Sequence, residues 1–257
     1  MKDKAILVVS FGTSYDATRA KTIDVVEQKV KEAFSEYTVR RAFTSGIILK
    51  VLQKRGIYIH NVSEALEALV QEGIKEVYVL PTHLIPGDEY DKLVRECEAY
   101  NTQFVTIKIA EPLITRKEDF FNVAHAVAQY YQVPKEQALI LMGHGSGHVN
   151  NNVYPAMDYV FKDLGYANIF VGTVEGYPEI DNLIQQVKKA GYTEGVLAPF
   201  MLVAGDHAEK DMASDEEDSW KTLLIKEGIN VVPQLIGMGE IEGIQTIYLK
   251  HLKAIII

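Results

Sequence analysis

Gly73-Ile-Lys-Glu-Val-Tyr-Val-Leu-Pro-Thr-His-Leu-Ile-Pro-Gly-Asp-Glu-Tyr-Asp-Lys92 and, 118 positions later, Gly191-Tyr-Thr-Glu-Gly-Val-Leu-Ala-Pro-Phe-Met-Leu-Val-Ala-Gly-Asp-His-Ala-Glu-Lys210 share glycine, glutamate, proline, leucine, glycine, aspartate and lysine in one order without a gap. Such a period is far above the roughly 20 to 50 residues of solenoid units, so it marks a duplicated domain. The opening segments correspond too, Val8-Val-Ser-Phe-Gly12 with Leu141-Met-Gly-His-Gly145. Short β-branched runs bounded by Gly or Pro alternate with segments of helical period, the pattern of βα units around a parallel sheet. The strands are expected at Ala5–Val9, Thr38–Phe43, Glu76–Pro81, Phe104–Ile109, Ala138–Met142, Ile169–Thr173, Gly195–Pro199 and Asn230–Leu235. Each is short and continuously apolar, as strands covered on both faces are. The helix near Leu66, Leu69 and Val70 is expected to start with Ser63 as its N-cap. The fold class is therefore α/β, with two tandem doubly wound halves facing each other about a pseudo-twofold axis, residues 1–114 and 115–257.

The chain has 257 residues, 26 Lys+Arg against 35 Asp+Glu, and a net charge of -9. That balance argues against a nucleic-acid backbone as partner. A single cysteine, Cys97, excludes an intramolecular disulfide and any CxxC motif and suits a reducing cytoplasm. The run Ala5–Val9 is too short for a signal sequence, and neither it nor the closing Ala-Ile-Ile-Ile257 approaches the ~20 apolar residues of a membrane span. A soluble, cytoplasmic protein that binds no membrane is expected.

In parallel sheets ligands bind beyond the carboxyl ends of the strands. Three polar residues fall there in the second half: His144 in Met142-Gly-His-Gly-Ser-Gly-His148, Glu175 in Gly172-Thr-Val-Glu-Gly-Tyr-Pro178, and His207 at the end of the Pro199–His207 stretch. Across the repeat His144 replaces Phe11, Glu175 falls near Thr44–Ser45, and His207 replaces Glu89. Two imidazoles and a carboxylate suit cobalt, nickel, iron(II) or zinc, whereas magnesium and calcium call for oxygen throughout. The plainer alternative for each histidine is a loop residue bonded to backbone. His148 is an additional ligand or an outer contact, His83 lies at another strand end, and His60, His125 and His251 read as structural or exposed.

Other motifs fail on particular residues. The Phe11-Gly-Thr-Ser14 turn can hold an anion but belongs to no GxGxxG or GxxxxGK[ST] pattern. Ser146 has the wrong spacing for a nucleophile elbow. The acidic run from Asp211 to Asp218 reads as a solvated helix start, or as an outer surface that collects metal.

The sequence resembles the class II tetrapyrrole chelatases, most closely their anaerobic sirohydrochlorin cobaltochelatase branch of cobalamin biosynthesis. The likeness is carried by Leu7–Tyr15, Arg41–Gly46, His83 with Gly87–Tyr90, Met142–Gly145, Val174–Glu179, Pro199–His207, Asp211–Asp215 and Asp218–Lys221. It implies two flavodoxin-like halves with the active site in the cleft between them. It also implies insertion of cobalt(II) into sirohydrochlorin with release of two protons, and iron or nickel are possible on the same ring. The metal is then the substrate, no cofactor is implied beyond it, and a homo-oligomer is possible. The implied metal ligands are His144, Glu175 and His207. His144 and Glu89 are the implied catalytic pair, and Ser10, Phe11, His83 and Glu89 the implied substrate contacts. Phe11 either presses on the ring face or is a core aromatic.

Insertion requires stripping water from the ion and removing two pyrrole protons. Neutral imidazoles do the first while leaving positions open, so acidification should weaken capture. A base within hydrogen-bond reach does the second, and His144 is the candidate, with Glu175 helping to neutralise the dication. A polycarboxylate substrate on an acidic chain needs local cations, and Arg40, Arg41, Lys50, Lys54, Arg55, Arg19 and Lys21 are a candidate rim, unless they form ordinary solvated surface. The competing functions are an intracellular metal or tetrapyrrole carrier without catalysis and a metal hydrolase.

Overall fold

The computed structural model describes residues 3–256; Met1, Lys2 and Ile257, at the ends of the expected halves, lie outside the described residues. The elements run β1 (Lys4–Ser10), α1 (Asp16–Lys21), α2 (Ile23–Ala33), β2 (Thr38–Phe43), α3 (Gly46–Lys54), α4 (Val62–Gln71), β3 (Glu76–Pro81), α5 (Asp88–Glu98) and β4 (Thr106–Ile109). They continue with α6 (Lys117–Tyr131), β5 (Ala138–Gly143), α7 (Val153–Asp163), β6 (Ile169–Thr173), α8 (Ile180–Lys189), β7 (Glu194–Pro199), α9 (Trp220–Lys226), β8 (Asn230–Pro233) and α10 (Glu242–Ile255).

Two four-stranded parallel sheets result, in the orders β2-β1-β3-β4 and β6-β5-β7-β8. One order is the other shifted by four strands, as duplication demands. The register agrees residue by residue: Val9 pairs with Pro81 in the first sheet, and the positions aligned with them by the repeat, Met142 and Pro199, pair in the second. The central strands β1 and β5 are buried on both faces, so their side chains form continuous apolar runs instead of alternating. Leu7, Val9, Leu66, Leu69 and Val79 build one core, and Ile140, Met142, Leu183, Leu197 and Leu224 the other.

Small corrections have local causes. β4 begins at Thr106, because Val105 N and Thr106 N both donate to Lys75 O and regular pairing with β3 starts only at Glu76–Thr106. β8 stops at Pro233, and the chain then turns, with Ile236 N donating to Gln234 O. The N-cap of α4 is Asn61, not Ser63: Asn61 Oδ1 accepts from Glu64 N while Glu64 Oε2 accepts from Asn61 N, a reciprocal capping box.

The chain divides into Met1–Thr115 together with Gln245–Ile257, and Arg116–Ile244. The expected second half, 115–257, is therefore corrected at its end, since most of α10 belongs with the first unit. There Tyr248, fully buried, donates its hydroxyl to Thr82 O at 2.8 Å, and His251 Nδ1 lies 3.1 Å from Glu111 O. His251 is structural, as expected, but sits on a buried helix face.

Candidate metal centre

The second unit's sheet changes direction between β5 and β7, the switch point where parallel sheets open a crevice. His144 directly follows β5, Glu175 lies two residues past β6, and His207 closes the loop after β7. One ligand atom from each lies within 4.8 Å of the others. The imidazoles meet edge to face, with centroids 4.6 Å apart and planes at 87°. His144 Nδ1 is 3.8 Å from Glu175 Oε2.

The partners of the two rings assign their tautomers. His144 Nδ1 sits 2.9 Å from Gly145 O, and a carbonyl only accepts, so that nitrogen carries the hydrogen. His207 Nδ1 is 2.6 Å from Asp211 Oδ2, with the same consequence. With Nδ1 held in this way, the atom of each ring left to face a metal is Nε2; a carbonyl behind His144 and a carboxylate behind His207 are both partners typical of metal-ligating histidines.

The loops that carry the three candidate ligands are stitched together. Val174 N donates to Gly143 O and Glu175 N to His144 O, so the β5–β6 ladder continues past the strand ends and sets Glu175 beside His144. Asn151 straps the same loops, its Oδ1 accepting from Ser146 N and its Nδ2 donating to Tyr177 O. Beneath them Tyr154 fills the space a Gly143 side chain would need, its Cε1 lying 2.3 Å from an added Cβ. Burial pushes the Tyr154 phenol up to about 12, while hydrogen bonds from the backbone of Gly145 and His144 act the other way. His207 leads into a π-helical turn, Ala208–Met212, in which Ala213 N reaches back to Ala208 O. Such turns are frequent at functional sites.

His148 is not part of the cluster. Its ring caps the short 3-10 turn Val149–Asn152 by accepting from Asn150 N, and that turn presents Asn151. His125 bonds Tyr166 Oη, and His60 packs edge-on against Tyr58.

In the first unit Phe11 is 45% exposed, which removes the core-aromatic alternative. Ser10 is buried, its hydroxyl accepting from Thr82 Oγ1 at 2.8 Å, so it braces the strand end and does not face solvent as a substrate contact would. By contrast both ring nitrogens of His83, Oε2 of Glu89 and Oγ1 of Thr44 are buried without a hydrogen-bond partner. Orphans of this kind are rare and demand an explanation. Desolvation lowers the His83 imidazole to about 4, so it is neutral at pH 7. Its unfolded counterpart takes up a proton near 6.5, so stability is present above that value and is lost as pH falls towards 4, by up to about 1.4 kcal/mol per pH unit. Urea titrations between pH 4 and 6.5 should show this slope reduced in His83→Leu; an equal slope would sink the assignment.

The basic rim separates into two kinds of residue. Arg41 binds Glu27 and Asp24, Arg40 binds Glu72, Arg55 binds Asp16, and Arg19 reaches Asp16 and Asp24. These arginines are neutralised by the chain itself. The acidic run is not a helix start either: α9 begins at Trp220 behind the Ser219 cap, Asp215 binds Lys221, and Asp211 orients His207. Asp211, which sequence reasoning took only as part of the acidic run, and Asn151, which it did not name, both hold residues of the cluster in place. The first had a signal, its i, i+4 spacing from His207; the second had none.

A duplicated parallel α/β chain with a His-Glu-His cluster at one switch point defines a metal-handling protein class. The chain belongs to the cobalt chelatase (CbiK) family, whose model matches residues 4–257. It is 39% identical over 253 residues to the sirohydrochlorin cobaltochelatase of Salmonella typhimurium, covering 97% of this chain and 95% of that one. It is 30% identical over 258 residues to the sirohydrochlorin cobaltochelatase CbiKC of Nitratidesulfovibrio vulgaris, covering 99% and 91%. The fold is similar to that of SirB from Bacillus subtilis, solved with Fe3+, with a TM-score of 0.64 at 18% identity over 98% of this chain and 95% of that one. Among the described residues no helix is long and apolar enough to cross a membrane. Cys97 is buried and its thiol is pushed up to about 12, so it is chemically quiet.

Proposed function

We propose that this chain inserts cobalt(II) into sirohydrochlorin and releases two protons, a step of anaerobic cobalamin biosynthesis. The observation that carries the reading is the convergence of His144, Glu175 and His207 with both Nε2 lone pairs presented. These three donors replace water on the incoming ion and leave further positions open for ring nitrogens. When the metal passes to the ring, His144 Nε2 is freed and can take a pyrrole proton, so one nitrogen exchanges a metal for a proton. Glu89, whose Oε2 has no partner, is assigned the other proton, and neutral His83 a hydrogen bond to the ring. Phe11 offers an exposed aromatic face to the macrocycle. The reading assigns no cofactor besides the metal substrate and a cytoplasmic setting, with which a single cysteine, unable to form an intramolecular disulfide, is compatible.

The test is anaerobic: sirohydrochlorin plus cobalt(II), followed by absorbance. The expected result is metalation faster than the uncatalysed reaction. Cobalt binding without acceleration would overturn the enzyme reading in favour of a carrier. Iron(II) and nickel(II) in parallel rank the metals that one His-Glu-His set tolerates.

Asp211 acts through His207. Asp211→Asn is expected to weaken cobalt affinity roughly 10- to 100-fold while leaving the fold intact, because the carboxylate that fixes the ring's tautomer is lost. Isothermal titration with cobalt(II) checks it; unchanged affinity would show that His207 is oriented without this bond.

A further inference from the structure

Within the basic cluster of the first unit the structure draws a distinction that net charge hides. Arg19, Arg40, Arg41 and Arg55 are each paired with acids of the same unit. Lys21, Lys50 and Lys54, all exposed, carry no ion pair among the described residues, and two of the three, Lys50 and Lys54, share one helix. That helix is α3, where Leu52 is the buried residue and where Ile47 and Val51 are 78% and 39% exposed. Positions 47, 50, 51 and 54 follow the i, i+3, i+4, i+7 rule and form one stripe. At 1.5 Å per residue that stripe is about 10 Å long. The outward face of α3 thus interleaves two large exposed apolar side chains with two unpaired ammonium groups on a chain of net charge -9.

We propose that this face of α3 is a docking surface for the tetrapyrrole: Ile47 and Val51 meet its apolar ring edge, and Lys50 and Lys54 its peripheral carboxylates. The inference rests on the reading that the chain acts on sirohydrochlorin. Position supports it within the first unit, because α3 starts at the carboxyl end of β2. Ser45 caps the helix there, Thr44 Oγ1 lies buried without a partner, and Ser45 N donates to Phe11 O. The repeat places Thr44–Ser45 where the second unit carries Glu175. Charge supports it as well. A polycarboxylate approaching an acidic protein is steered by cations that the protein has not already neutralised, and Lys50 and Lys54 are two such cations set beside the exposed Ile47 and Val51.

The experiment measures binding of metal-free sirohydrochlorin to the full chain by fluorescence, at low and high salt, in K50E/K54E, I47S/V51S and K189E/K253E. The last pair makes the same charge change at exposed lysines elsewhere. K50E/K54E is expected to bind at least tenfold more weakly and to lose most of its salt dependence. I47S/V51S should bind several-fold more weakly with its salt dependence kept, and K189E/K253E should stay within twofold. Cobalt affinity should be unchanged throughout. Equal weakening by both lysine pairs, or no weakening by the α3 pair, overturns the proposal. Sedimentation distinguishes another occupant: dissociation of an oligomer in the α3 variants would assign the face to a second copy of the chain and also overturn it. A wild type that neither binds nor metalates sirohydrochlorin removes the functional reading itself, whereas an active wild type with indifferent α3 variants removes this inference alone.

Discussion

Replacing His144 or His207 by alanine is expected to lower kcat/KM for cobalt insertion by more than about 100-fold, since losing even the outer partner of a ligand typically costs 10- to 100-fold. Either change leaves one imidazole and one carboxylate among the three donors that lie within 4.8 Å of each other. It also removes a nitrogen that can exchange the metal for a proton, so capture and proton removal suffer together. Folding should be little affected, because the two side chains are 41% and 37% exposed. Glu175→Gln keeps an oxygen donor but loses the charge that offsets the dication, so it should fall between these variants and the wild type. The check is the anaerobic insertion assay with melting curves alongside. Activity within twofold of wild type in either histidine variant would remove that residue from the site.

The legible part of the fold was its repetition. A gap-free match between Gly73–Lys92 and Gly191–Lys210 requires the same strand pairing in both copies, and the Val9–Pro81 and Met142–Pro199 pairs show it. The candidate ligands were legible as a cluster for a related reason: a parallel sheet exposes its strand ends, and His144, Glu175 and His207 all follow strands of one sheet. Contacts that depend on tertiary approach were hidden. Asn151 bonds Tyr177 across 26 positions, a pairing without sequence period. The end of the chain was expected in the second half because nothing in the sequence signals which core the buried Tyr248 joins. The rim arginines looked like a carboxylate receptor because their acidic partners are scattered; Arg40 meets Glu72 across 32 positions and Arg41 meets Glu27 across 14.

Gly145→Ala should weaken the centre, although position 145 supplies none of its candidate donors. Its φ of +81° lies where an L side chain costs roughly 1–2 kcal/mol. The space is closed as well: an added Cβ would lie 2.6 Å from Gly176 N, 2.8 Å from Thr173 Cβ and 3.0 Å from Glu175 C. Two of those atoms are backbone, so relief requires the His144 and Glu175 loops to separate. Separation breaks the bond from Glu175 N to His144 O that sets the carboxylate beside the imidazole. The expected result is a stability loss of about 1–3 kcal/mol with cobalt affinity at least tenfold weaker. Gly147→Ala, two residues on, is the control, because nothing lies within 4 Å of an added Cβ there. Titration with cobalt(II) and chemical denaturation of both variants decide the matter. If Gly145→Ala binds cobalt like Gly147→Ala, the close approach of the two loops is not what assembles the metal centre, and the three ligands are held by their own strands alone.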